Sequence, residues 1–125
     1  ALGRGGVRVS LFVEPGPKVL DAARALGAPV VELHTGAYCE AKGQARAAEL
    51  ARIVAAAAHA EAIGLECHAG HGLDYETVAA IAAIPAMHEL NIGHFLIGEA
   101  IFVGLEAAIG GMRARMDAAR SGAAA

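Results

Sequence analysis

Four times along this chain a short stretch that alternates apolar and polar residues gives way to a longer segment of helical period, and no other feature restricts the fold as much. Val7 to Val13 ("VRVSLFV") alternates as a strand does, Pro17 suits the first turn of a helix carrying Val19, Leu20, Ala23 and Leu26, and Gly27 suits its C-terminal cap. Val30 to His34 ("VVELH") reads as a second strand. After a Gly-containing loop, an Ala-rich helix sets Leu50, Ile53, Val54, Ala57 and Ala58 on one stripe before Gly64 ends it. Leu65 to Ala69 reads as a third strand, followed by Asp74 as N-cap and a short helix with Val78, Ile81 and Ala82 that Pro85 stops. Glu89 to Ile92 reads as a fourth strand. The remainder reads as a short helical turn and a C-terminal helix through Arg120.

Strand-helix units in series imply parallel strands joined by crossovers, so the class is α/β. The boundary "LGAPVVELHTG" resembles "IGLECHAGHG", a weak internal repeat that suits a barrel of repeated units. Pattern alone leaves a closed barrel and an open doubly wound sheet both available. If Val31, Leu33, Leu65, Cys67, Leu90 and Ile92 face the helices, then Arg8, Ser10, Glu32, His34, Glu66, His68, Glu89 and Asn91 face the other way. A second helix layer would need apolar residues there. A polar second face favours a barrel whose interior groups pair with one another or hold water, since a buried polar group left unpaired costs several kcal/mol, on the order of 2–7. The plain alternative is a sheet with one solvent face.

The 125 residues amount to one domain, and with 56% hydrophobic but only 4% aromatic residues its core is built from small side chains. A net charge of −3 leaves no electrostatic footprint for nucleic acid or an anionic membrane. His, Glu or Gly interrupts every apolar stretch well before the roughly 18 residues of a membrane span, and no basic-then-apolar leader opens the chain. A soluble, cytoplasmic protein is expected. Cys39 and Cys67 are too few for a disulfide framework and are read as free thiols. The opening "ALGRGG", which lacks an initiating Met and runs straight into a strand pattern, reads as a start inside a longer chain.

"AGHG" (Ala69 to Gly72) and "IGHF" (Ile92 to Phe95) each fall after a strand and before a helix, where backbone N–H groups can converge on an anion. A single Gly-His turn is more often structural, with Gly supplying a positive φ. Two in succession, on the loops where barrels commonly bind phosphate, point further. A metal reading finds little support: "HAGH" straddles a strand end, and no HExxH or CxxC accompanies it. His59 and His88 read as surface or interface side chains. His71, at a strand's C-terminal end, is the candidate proton-transfer group. Glu32 could polarise His71 or a substrate from the neighbouring strand, or could be a lumen carboxylate paired with Arg8 or a His.

"VSLFVEP" (Val9 to Pro15), "VELHTGAYCEA" (Val31 to Ala41), "AGHGLDYETV" (Ala69 to Val78) and "IAAIPAMHELNIGHFLIGEAIFVGL" (Ile81 to Leu105) resemble the C-terminal half of the pyridoxine 5'-phosphate synthase (PdxJ) family across essentially all 125 residues. The resemblance implies a (β/α)8 TIM barrel of which residues 1–125 supply the second half, four βα units. It implies condensation of 1-deoxy-D-xylulose 5-phosphate with 3-amino-2-oxopropyl phosphate to pyridoxine 5'-phosphate in vitamin B6 biosynthesis, a transferase-type ring closure releasing inorganic phosphate and water. No metal or organic cofactor is implied. By motif match His71 is the proton donor, Glu32 stabilises a charged intermediate, and Gly72, Gly93 and His94 contact substrate with the Gly-His loops around phosphate.

The family's remaining base residues and substrate-binding arginines lie in the first barrel half, and Arg8 falls outside the matching motifs. Half an active site is therefore expected, inactive alone, with an N-terminal half or a second copy covering its open edges. Phosphorylated small molecules and inorganic phosphate are the expected ligands, and a homo-oligomer the expected assembly. The other reading is a non-catalytic half-barrel assembly module that retains a phosphate site. The polypeptide's mass separates the two, 12.6 kDa favouring the module.

Overall fold

The computed structural model describes residues 2–123. Its elements follow in the order β1 (Ser10–Val13), α1 (Pro17–Ala25), β2 (Val30–His34), α2 (Gly36–Glu40), α3 (Gly43–Ala62), β3 (Glu66–Gly70), α4 (Val78–Ala82), β4 (Met87–Asn91), α5 (His94–Val103) and α6 (Leu105–Ala123). The four strands form one sheet in the order β1-β2-β3-β4, and every pairing is parallel. The α/β class read from the alternation is thus present in three dimensions.

Pro17 occupies the first turn of α1, and Gly27 follows its end at φ 78, a conformation that would strain a side chain. Gly64 does the same after α3 at φ 76. The sheet's apolar face carries Val31, Leu33, Cys67 and Ala69, all buried, against Leu20 and Ala23 of α1, Ile53, Ala57 and Ala60 of α3 and Ile81 of α4. Full burial of each large aliphatic side chain is worth about 1.5–3 kcal/mol relative to exposure.

Several expectations need correction. β1 starts at Ser10, and the residues ahead of it include a 3-10 turn at Gly3–Gly5. The loop after β2 contains the helix α2, and the short turn after β4 is the ten-residue α5. In the predicted stripes Val19, Leu26, Val54 and Ala58 are exposed, while Leu20, Ala23, Ile53 and Ala57 are buried in the core and Leu50 is half-buried against it. Periodicity marks a stripe wider than the one the sheet covers.

The β3–β4 register shifts: Cys67 pairs with Met87, but the next residue, His68, pairs with Glu89. His88 is thereby the extra residue of a bulge. Without it Met87 and Glu89, two positions apart, would share a face; with it Met87 enters the core while Glu89 joins the polar side.

That polar side is internally paired. Arg8 bonds Glu66 at 2.5 Å, Glu66 bonds His68 Nε2 at 2.8 Å, and Glu89 lies 3.5 Å from His68 Nδ1. The hydrogen bond from His68, and then that from Arg8, hold the Glu66 carboxyl below the usual carboxylate range. Among the described residues no buried side-chain nitrogen or oxygen lacks a partner. This is how the sheet carries polar residues on all four strands without an unsatisfied group. Among the described residues no helix is long and apolar enough to cross a membrane.

Candidate active site

The loop after β3 takes an unusual path. His71 has φ 78 and Gly72 φ 82, two left-handed residues in succession. For the His this costs roughly 1–2 kcal/mol, so the surroundings must hold it. The buried Thr35 does so from the end of β2: its N–H donates to Gly70 O at 2.9 Å, and its hydroxyl lies 2.7 Å from Gly70 O and 2.6 Å from His71 O. Gly72 is fixed by space as well as by φ, since a Cβ there would lie 3.2 Å from the Cβ of Cys39.

The loop ends in a capped turn. The Asp74 carboxylate accepts from the N–H of Glu76 at 3.0 Å, the N–H of Thr77 at 2.8 Å and the Thr77 hydroxyl at 2.7 Å. Burial alone would raise the Asp74 pKa, but these bonds from Thr77 and Glu76 bring it below its ordinary value. Asp74 therefore caps the turn ahead of α4, one turn earlier than the regular helix begins. Arg46 of α3 clamps the same turn through Glu76 at 2.6 Å.

A cleft of about 760 Å³ opens at the C-terminal ends of the strands, lined by Phe12, Glu32, His71, Gly72, Leu73, Asp74, Asn91, Ile92, Gly93, His94 and Phe95. All five residues singled out in the sequence, Glu32, His71, Gly72, Gly93 and His94, line this one cleft. Glu32 faces it from β2 and is held by the Asn91 amide at 2.9 Å. Of the two readings of Glu32, the alternative that pairs it with Arg8 is corrected: Arg8 belongs to Glu66, one layer away along the strands.

Gly93 caps α5, whose first turn receives no side-chain hydrogen bond at that cap. The first N–H groups of an α-helix have no carbonyl within the helix, so here they are available to an anion at the cleft. Gly93 has φ −115 and a Cβ there would meet nothing within 4 Å, so conformation does not require the glycine; its small size leaves the cleft open. Phe95 is fixed from outside by the edge of Tyr75 at 4.7 Å, and Tyr75 by Arg115 at 3.9 Å over its ring.

Sequence reasoning placed Asn91 on the polar face without assigning it to the site, and passed over Phe12 and Thr35. Parity with Glu32 across the strands was the available signal for Asn91; nothing local marks Thr35. Among the described residues no Lys or Arg side chain lines the cleft, and no group of three His, Cys, Asp or Glu side chains is arranged to hold a metal ion.

Parallel strand-helix units with a Gly-rich cleft at the strands' C-terminal ends define an α/β protein, the class in which sites are built at that edge of the sheet. The family described as "Pyridoxal phosphate biosynthesis protein PdxJ" matches residues 1–118, and the chain belongs to it. Its relatives include pyridoxine 5'-phosphate synthases of Rhodospirillum rubrum, 71% identical over 100% of this chain and 51% of the relative, and of Jannaschia sp., 63% identical over 92% and 48%. The counterpart of Caulobacter vibrioides is 62% identical over 92% and 47%. The chain thus spans about half the length of the relatives it matches.

Proposed function

We propose that residues 1–125 form the C-terminal half of a (β/α)8 barrel in a cytoplasmic pyridoxine 5'-phosphate synthase. The reaction is the condensation of 1-deoxy-D-xylulose 5-phosphate with 3-amino-2-oxopropyl phosphate, releasing inorganic phosphate and water. Family membership and the relatives' names support this, and one observation carries it to residues: both Gly-His turns open onto the cleft that also holds Glu32.

In this reading the N–H groups at Gly72 and at the start of α5 hold a phosphate, with His94 beside it. His71 delivers the proton that lets an oxygen leave, and Glu32, oriented by Asn91, stabilises the positive charge of an intermediate. The remaining cations for two phosphorylated substrates come from the barrel's other half, or from a second copy in a homo-oligomer. The cleft's lack of Lys and Arg among the described residues also favours a second reading, a phosphate-retaining assembly module without catalysis.

Crystals of the full-length polypeptide soaked in inorganic phosphate, together with turnover of both substrates, test the proposal. Phosphate bound between Gly72 and Gly93 with turnover supports it. Phosphate there without turnover leaves the module, and an anion bound only elsewhere counts against both.

A further inference from the structure

We propose that His34 is a positioning residue for His71, itself held in place by Glu14; this rests on the reading of His71 as the proton donor. His34 is the last residue of β2 and its Nδ1 lies 2.9 Å from Glu14 Oε1. A carboxylate only accepts, so Nδ1 carries the hydrogen and the ring's orientation is set. Glu14 is steadied in turn by Arg52 of α3, whose Nη2 lies 3.5 Å from Oε2 while the same guanidinium bonds Glu49 and the carbonyl of Pro15.

The His34 ring packs against that of His71, centroids 4.7 Å apart and planes tilted by 43°. Phe12 meets His34 edge-on at 5.1 Å and lies 6.5 Å from the His71 ring, so the three rings form one cluster. His71 sits on a left-handed loop and is exposed, so its backbone alone leaves the imidazole free to rotate. His34 removes that freedom on the side facing β2.

Gly36 shows how closely the two rings are fitted. A Cβ there would lie 2.9 Å from His34 Cε1, 3.0 Å from His34 Nε2 and 3.2 Å from His71 Cδ2. Gly36 opens α2 without a positive φ, so conformation does not demand glycine, and alanine is the better helix former. What keeps the position bare is the space both imidazoles occupy.

The test is steady-state kinetics of the full-length polypeptide with His34→Ala, Glu14→Ala, Glu14→Gln, Gly36→Ala and, as reference, His71→Asn. His34→Ala and Glu14→Ala should each lower kcat about 10- to 100-fold while KM stays within about twofold, as expected when the partner of a reacting group is lost. Glu14→Gln should recover most of that loss, because its amide oxygen still accepts from Nδ1–H. A merely structural role would lower the melting temperature without this kcat-only effect or the rescue. If His34→Ala does not fold, Gly36→Ala decides, since it displaces both rings in a backbone that accepts alanine. Wild-type kcat in His34→Ala, or in Gly36→Ala, overturns the proposal if His71→Asn is impaired. Wild-type kcat in His71→Asn instead overturns the assignment of His71, and this inference with it.

Discussion

The Asn91 amide reaches Glu32 at 2.9 Å across the full width of β3, and it can do so because Gly70, the β3 partner of Asn91, leaves bare the space that the Glu32 carboxylate enters. A Cβ on Gly70 would lie 2.3 Å from Glu32 Oε1 and 2.8 Å from the backbone oxygen of Asn91. Gly70→Ala should therefore push Glu32 aside and part the β3–β4 edge, destabilising by about 1–3 kcal/mol as overpacking does. Urea unfolding checks it, and an unchanged midpoint would contradict the geometry.

His71→Asn separates binding from proton transfer. Asn is among the few residues that accept the left-handed backbone found here, so the loop at φ 78 should survive the change. Turnover in the full-length polypeptide should fall by about 10² to 10⁴, the range for a lost general acid or base. Calorimetric affinity for inorganic phosphate should barely move, because the groups proposed to hold it are backbone N–H. An equal loss of both would make His71 a ligand contact.

The Asp74 cap makes stability depend on pH with a definite sign. Its folded pKa is depressed, so the unfolded chain takes up a proton first on acidification; the stabilisation is complete above the unfolded value and is lost as pH falls through the folded one. Asp74→Ala should cost about 0.5–2 kcal/mol at neutral pH. The difference from wild type, read from urea melts at about pH 7 and about pH 3, should shrink at the acidic end. A difference that grows on acidification would sink this account.

Cys39 and Cys67 are free thiols with different access. Cys67 is buried and its pKa is pushed up to about 12 by desolvation; burial also raises that of the half-buried Cys39. Since the thiolate is the reactive form, a thiol reagent at neutral pH should label native Cys67 far more slowly than the unfolded chain. Two thiols should titrate after denaturation without reductant; finding none would show a disulfide.

The outer edges of β1 and β4 lack a strand partner within residues 2–123, and each edge presents unpaired N–H and C=O groups. Residues 1–125 produced alone should therefore self-associate through these edges or fold poorly, whereas the full-length polypeptide should fold with both edges covered. Native mass spectrometry over a dilution series decides. A stable monomer at every concentration, with slow amide exchange on both edges, would remove the half-barrel proposal.

The parallel α/β order was legible from the chain because period-2 and period-3.6 patterns are local: residues 30–34 alternate whatever surrounds them, and Pro17, Gly27 and Gly64 mark helix ends by their own backbone limits. The polar parity of Glu32, Glu66 and His68 was legible for the same reason. Which polar group meets which was not. Arg8 pairs with Glu66 rather than Glu32 because register, a relation between strands, sets the layers, and the bulge at His88 returns Met87 to the core by the same kind of relation.

In the site, the Gly-His turns announced themselves by residue type, yet the left-handed backbone of His71 is held by Thr35, 36 positions away, and the rings of His34 and His71 meet over Gly36. Sequence determined the elements and the chemistry available at their ends, since those follow from each residue's own preferences and period. Only the tertiary structure decided where Glu32 and His71 point, because contacts between distant segments set that aim at a cost no local preference would choose.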